Sequence, residues 1–387
     1  MTENIHEKLD QIKKRRRRRR RLSLAMLVLS FTIVFGAGYV ISLIREASGL
    51  GPISIEKINT INTTAEPTYK KQSFFYPVVS GIIMTGNERL TYMTVRGEIV
   101  WEKEFFGSDI LAHERNDSFY ICDKATGDYY VLDKKGQILS KIEGLGKVDR
   151  FLVGSDGYTA LYLKNDKKIA LINPQGVMSA TIPVPYDDLL DLRYSEAMKL
   201  IAMSVLVVEN DYFHTNVLMF GTDGKMRGAR NFNNAVLYRL SDAGEGFIGY
   251  SDDMIIAFDD QNDELWKKII DREVTRLAFD PFGNTLLNLT IQNKAIDDTR
   301  DDNVLSMYNI SGDKVFERKM EVVVDLMAMG PERIAFLGDG KLHILNFSGK
   351  LLGAKVVDNS ILALEWLDET HLGVEYENRY EIYSCKY

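Results

Sequence analysis

Beyond residue 70 the chain alternates short apolar runs with turn-forming residues. Runs of four to eight residues rich in Val, Ile, Leu, Tyr and Phe are separated by Gly, Asp and Asn, and helical periodicity is nearly absent. Such runs read as strands. One unit recurs: an apolar strand, a tight turn and a second strand. It reads LTYMTVRGEIVWEKEF, YYVLDKKGQILSKI, KIALINPQGVMSATI, NVLMFGTDGKMRGA, MIIAFDDQNDELWKKI, VLSMYNISGDKVFERK and KLHILNFSGKLLGAK. The turn residues are Gly97, Gly136, Gly176, Gly224, Asn262, Gly312 and Gly349, spaced by 39, 40, 48, 38, 50 and 37, a mean of 42. A period of about 40–45 residues with four strands per unit is the signature of a β-propeller.

The alignment holds position by position. Four residues before the turn residue stands a large apolar group: Met93, Leu132, Ile172, Phe220, Phe258, Tyr308 and Leu345. It is expected to point between blades. Three before, five of the seven units have Asp133, Asn173, Asp259, Asn309 or Asn346. Short Asx side chains bond the backbone of the following turn, so these residues are structural. Four after, the series is Trp101, Ser140, Ala180, Gly228, Trp266, Phe316 and Gly353, either aromatic or small. Such residues can wedge between neighbouring blades, large facing small.

With Gly followed four later by Trp, as in RGEIVWEK, and with DDQNDELWKK, the chain resembles the quinoprotein-type (PQQ-like) propellers. VTRLAFDPFGNTLL is similar to the A–B corner of WD40-like blades. The resemblance covers nearly all of 53–387 at the level of fold. It implies blades read A, B, C, D from the axis outward. Residues 74–105 supply the first blade, and seven full units end near Val357. ILALEWLDE, THLGVEYE and YEIYSCKY then follow as A, B and C, and the last D strand is missing. The spare β-like run GPISIEKINTI near 51–61 can supply it. The expected fold is therefore all-β, an eight-bladed β-propeller over 73–387 closed by a strand near 53–61. Seven blades with a loose end is the alternative. Cys122 falls in strand B of blade 2 and Cys385 in strand C of blade 8, too far apart to bridge.

Ahead of the repeats, 23 uncharged residues, Leu22 to Ile44, follow seven arginines, Arg15 to Arg21. At ~1.5 Å per residue a helix of this length reaches ~34 Å, enough to cross a ~30 Å hydrocarbon core. A cleaved signal peptide has a shorter apolar region and a small-residue cleavage site; here Ala47-Ser48-Gly49 follows a charged Arg45-Glu46 pair. The expectation is one uncleaved transmembrane helix with the N-terminus cytoplasmic. Residues 1–21 are then a basic cytoplasmic tail, 45–72 a linker, and the propeller is extracytoplasmic at the cell membrane. The arginine run would also meet anionic headgroups, so membrane lipid is an expected partner of 15–21 and 22–44. This layout is similar to an uncharacterised family of membrane-anchored propellers of Gram-positive bacteria. That resemblance carries over no catalytic residue.

Charge sharpens the division. The tail carries ten Lys/Arg and three acids, while the whole chain is −7, leaving residues 22–387 near −14. An acidic ectodomain does not suit nucleic acid. Two cysteines exclude a disulfide framework and a Cys-based zinc site.

Candidate chemistry is sparse. The B–C hairpins of blades 4 and 6, VVENDYFHTN (207–216) and IQNKAIDDTRDDN (291–303), are about ten residues longer than the rest. Binding residues concentrate on such loops. The candidate binding residues are Tyr212, Phe213 and His214 in one, and Asp297, Asp298, Arg300, Asp301 and Asp302 in the other. The four aspartates lack the oxygen spacing of a calcium loop. His113, His214, His343 and His371 lie in different blades, without ligand spacing for zinc. No nucleophile elbow, phosphate loop or cofactor clamp is recognisable, so no enzyme activity, metal or cofactor is expected. The expected role is a protein-binding or scaffold module in a cell-surface assembly. The alternative is a small-ligand sensor or enzyme with its site at the axial channel.

Overall fold

Glycine-closed turns set the repeat. In this computed structural model, which describes residues 52–62, 75–290 and 303–387 apart from 87, 106, 108, 186, 187, 210, 211, 234, 262, 281 and 359, each C–D turn is built alike. The Gly97 N–H donates to the Thr94 carbonyl (2.8 Å), and the Thr94 N–H to the Glu98 carbonyl (3.0 Å). The pattern repeats at Gly136, Gly176, Gly224, Gly312 and Gly349. These glycines have φ between 73° and 80°, the left-handed region that suits the end of a type I turn with a one-residue bulge. Asn262 lies outside the described residues. The preceding Asx residues act as expected: Asp133 Oδ1 accepts the N–H groups of Lys135 (2.9 Å) and Gln137 (2.7 Å). Asn173, Asp259 and Asn346 each accept the corresponding pair.

The same glycines have a second duty. A Cβ on Gly136 would stand 2.7 Å from Trp101 of the previous blade, one on Gly312 the same distance from Trp266, and one on Gly349 from Phe316. Ser140 and Ala180 sit likewise on Gly176 and Gly224. In these five cases the residue four after the turn packs on the turn glycine of the next blade. The sequence pattern suggested large against small within one series; the small partner belongs to the turn series instead.

Among the described residues, 32 strands form eight four-stranded antiparallel-type sheets. Blades 1 to 7 span 75–104, 110–142, 148–183, 188–233, 239–269, 273–319 and 326–356, each in sequential strand order. Blade 8 holds Ile361–Trp366, His371–Tyr376 and Arg379–Lys386 as A, B and C, with Ser54–Asn62 outermost. The propeller has eight blades, and the closing strand lies within a residue of where the missing D strand predicted it.

Apolar clusters fill the spaces between blades. One combines Ile83, Tyr92 and Trp101 of blade 1 with Phe119, Ile121 and Leu132 of blade 2. Another joins Ile61, Tyr380 and Ile382 of blade 8 to Phe75, Ile82 and Met93 of blade 1, so the ring is closed by the same packing that builds it. The seven large residues before the turns are all buried, from Phe258 at 0% to Tyr308 at 9% exposure. At the closing strand Ile55 and Ile61 are buried, Lys57 pairs with Glu381 at 3.1 Å, and Asn59 lies on Gly97. Cys122 and Cys385 are separate, buried, free thiols; burial pushes them up to about 12 and about 11.

The chain divides into a unit of Ile55–Lys386, described above, and a unit of Met1–Ser54 with Tyr387. The 22–44 run lies outside the described residues. Among the described residues no helix is long and apolar enough to cross a membrane.

Candidate functional site

The long hairpin of blade 4 is regular β-structure. Strands Leu200–Glu209 and Tyr212–Gly221 pair to the tip, with Val207 opposite His214, Val208 opposite Phe213 and Glu209 opposite Tyr212. Below the tip, Thr215 is fully buried and its Oγ1 accepts the Leu237 N–H (3.0 Å), which roots the hairpin in the chain leading to blade 5. Above it, Val208, Tyr212 and Phe213 are 60%, 70% and 59% exposed, while His214 is half-buried. The hairpin of blade 6, with Asp297, Asp298, Arg300, Asp301 and Asp302, lies outside the described residues.

The axial wall is more polar than the sequence suggested. Strand A of blades 3 to 6 contributes Arg150, Arg193, Arg239 and Arg276. Several guanidinium groups reach the next blade's inner strand. Arg150 donates to the Leu190 carbonyl (3.1 Å), Arg193 to Leu240 (2.7 Å) and Arg276 to Asp325 (2.9 Å). His113 makes the equivalent contact with the Phe151 carbonyl (3.0 Å); burial holds it neutral, with its imidazole lowered to about 4. Asp191, 1% exposed, accepts the Leu240 N–H (2.8 Å) and stands 3.4 to 3.8 Å from Arg193, Arg239 and Arg150. A carboxylate this deep is tolerable because cations surround it. The cluster is a latch between blades 3, 4 and 5.

At the rim of the A–B turns, opposite the long hairpins, the channel widens into a cavity of about 700 Å³. Its wall comes from blades 7, 8, 1 and 2. Among the lining residues, Glu114 is already satisfied: it accepts the Ser80 N–H and hydroxyl (2.7 Å each) and pairs with Lys134. Glu365 differs. It lines the cavity as an exposed side chain near other protein atoms, and among the described residues no basic side chain pairs with it. Burial, and then the neighbouring Glu375 carboxylate, raise its carboxyl to about 7. Among the described residues no group of three or more His, Cys, Asp or Glu side chains is placed to hold a metal ion.

Neither Glu365 nor the inner arginines were singled out from sequence. The available signal was a charge inside an otherwise apolar inner strand, as in ILALEW.

Solved structures confirm the architecture. BamB from Moraxella catarrhalis is similar with a TM-score of 0.56 at 11% identity, over 86% of this chain and all of that one. The C-terminal WD40 domain of Sif2 gives 0.60 at 10% identity, over 85% of this chain and 98% of that one. At such identities the likeness is one of fold. No curated protein matches the sequence. The family of unknown function DUF5711 matches residues 54–382, from the closing strand to the last C strand, and the chain belongs to that family.

Proposed function

We propose that this DUF5711 member is a membrane-anchored, extracytoplasmic β-propeller that binds a protein partner in a cell-surface assembly. The observation that carries the binding role is the blade 4 hairpin. Two fully paired strands hold Val208, Tyr212 and Phe213 out in solvent. Aromatic side chains on a rigid support are good anchors, because little entropy is lost when they are covered. The anchoring part of the proposal rests on the uncharged run 22–44 behind Arg15–Arg21.

Two measurements test it. Glu245 is an exposed turn residue, and both native thiols are buried, so Glu245→Cys gives a single reactive site. An impermeant thiol reagent is expected to label it in intact cells; protection there, with labelling after lysis, would refute the topology. Replacing 207–216 by a two-residue turn is expected to remove crosslinks made by the wild-type protein in membranes. Unchanged crosslinks would move the partner surface elsewhere.

A second reading is favoured by one specific observation. The solvent-facing cavity at the A–B rim, with Glu365 in its wall and no basic side chain paired with it among the described residues, supports recognition of a small ligand at the channel mouth.

A further inference from the structure

Two opposite charges stand in the wall of the A–B rim cavity without neutralising each other. Arg115 ends the strand Ile110–Arg115 of blade 2, and Glu365 is the next-to-last residue of Ile361–Trp366 in blade 8. Arg115 Nη1 donates to the Glu114 carbonyl (2.8 Å). Among the described residues no carboxylate pairs with this guanidinium, and no basic side chain pairs with Glu365. The other acids of the wall are occupied or remote. Glu114 is held by Lys134 and Ser80, Asp368 by the His371 ring (2.6 Å), and Glu369 lies in solvent. Blade 1 stands between blades 8 and 2, and its inner strand brings Pro77 and Val78 to the cavity. Met329 and Pro331 add apolar surface from blade 7. Opposite charges held apart across apolar wall match a ligand that carries both charges on an apolar body.

We propose that this cavity binds short apolar peptides with free termini, the terminal ammonium group at Glu365 and the terminal carboxylate at Arg115. A guanidinium is a planar fork of N–H donors that fits a carboxylate, and among the described residues only Nη1 of Arg115 is engaged by a protein acceptor. An ammonium group offers donors alone, and the Glu365 oxygens are acceptors. The two charges come from blades on either side of blade 1. A free amino acid carries both of its charges on one carbon and is a poor match for that separation. Three residues part the termini by up to about 10 Å. The cavity of about 700 Å³ is of small-molecule size.

The inference rests on the channel-mouth reading above, and the experiment separates the two. The full-length protein in detergent is titrated calorimetrically with trileucine, its N-acetyl form, its C-terminal amide and free leucine. Wild type is expected to bind trileucine, and blocking either terminus to weaken binding by about tenfold or more. Each variant is expected to lose one preference and keep the other. Arg115→Gln should bind trileucine and its amide alike, and Glu365→Gln should bind trileucine and its N-acetyl form alike. The retained preference reports that the variant is folded, and the blocked peptides on wild type decide the matter if a variant does not fold. Absence of trileucine binding, indifference to both blocks, leucine binding as tightly, or folded variants that keep both preferences overturns the assignment. In parallel, Glu365→Cys is treated with a small thiol reagent, both native thiols being buried. Labelling without trileucine binding by wild type removes only the peptide; no labelling removes the channel-mouth reading with it.

Discussion

The ring depends on a strand that enters from the far end of the chain. Ile55 and Ile61 project from it into the last blade junctions, 7% and 9% exposed. Truncating a buried isoleucine to alanine costs about 2–5 kcal/mol, the transfer term plus the cavity left behind. Ile61 belongs to the cluster that joins blade 8 to blade 1, so its loss is felt on both sides of the seam. The polar contacts of the strand add less. Glu381 would keep Arg379 (3.0 Å) and the Tyr383 hydroxyl (2.6 Å) if Lys57 were lost. The double variant Ile55→Ala, Ile61→Ala should therefore lose about 4–10 kcal/mol. Unfolding entropy is ~2.1 cal/mol/K per residue, so over the unit Ile55–Lys386 each kcal/mol lowers Tm by about 1.4 °C. The expected fall is about 6–14 °C, measured by calorimetry on the full chain, with earlier proteolytic cutting at blade 8. A matched exposed pair on the same strand, Glu56→Ala and Lys57→Ala, should shift Tm by no more than about 2 °C. Equal melting of the double isoleucine variant and wild type would refute closure by this strand.

Three further outcomes are expected. Gly312→Ala must place a Cβ 2.7 Å from Trp266 at φ 78°, so it should cost about 2–4 kcal/mol in denaturant unfolding, far more than the usual Gly→Ala change. Glu365 has a folded-state value of about 7, above its unfolded value, so its contribution is intact in acid and is lost as pH rises from about 4.5 through 7. Because the group faces the cavity, screening limits the loss to about 1 kcal/mol; the Tm of Glu365→Gln should therefore overtake wild type only above neutral pH. Cys122 and Cys385, raised by burial to about 12 and about 11, should be silent to a thiol reagent in the native protein and both react in denaturant.

Much of this architecture was written in the repeat because the repeat is where the physics is identical in every blade. A C–D turn needs Gly97 or Gly136 for φ and Asp133 or Asn173 for its N–H groups, so those types recur at fixed offsets. The missing eighth D strand was legible for the same reason: a ring of identical units leaves a countable gap. The docking of Trp101 on Gly136 was only half legible, since sequence shows each series but not which blade faces which. The inner wall was hidden. Arg150, Asp191 and Arg239 occupy strand A positions that face the axis, where no periodic packing partner imposes a residue type. Their relation spans three blades and leaves no spacing to detect.

That freedom has a consequence for function. Positions between blades are held by packing on both sides, and the turn positions by backbone conformation, so neither can vary without loss of stability. The inner strands are under weaker constraint, and the chain uses them unevenly. Blades 3 to 5 fill the axis with guanidinium groups whose donors are tied to carbonyls and to Asp191. Blade 8 instead places Glu365 in the cavity wall, where among the described residues no basic side chain pairs with it. An arginine there would have satisfied the carboxylate, as Arg193 and Arg239 do for Asp191 in blade 4. On the channel-mouth reading, recognition would fall at the A–B mouth between blades 7 and 2, where this wall lacks the guanidinium latch of the other. The exposed aromatic tip of blade 4 stands on the opposite rim, so a ligand at the mouth and a protein on the hairpin could be held at once.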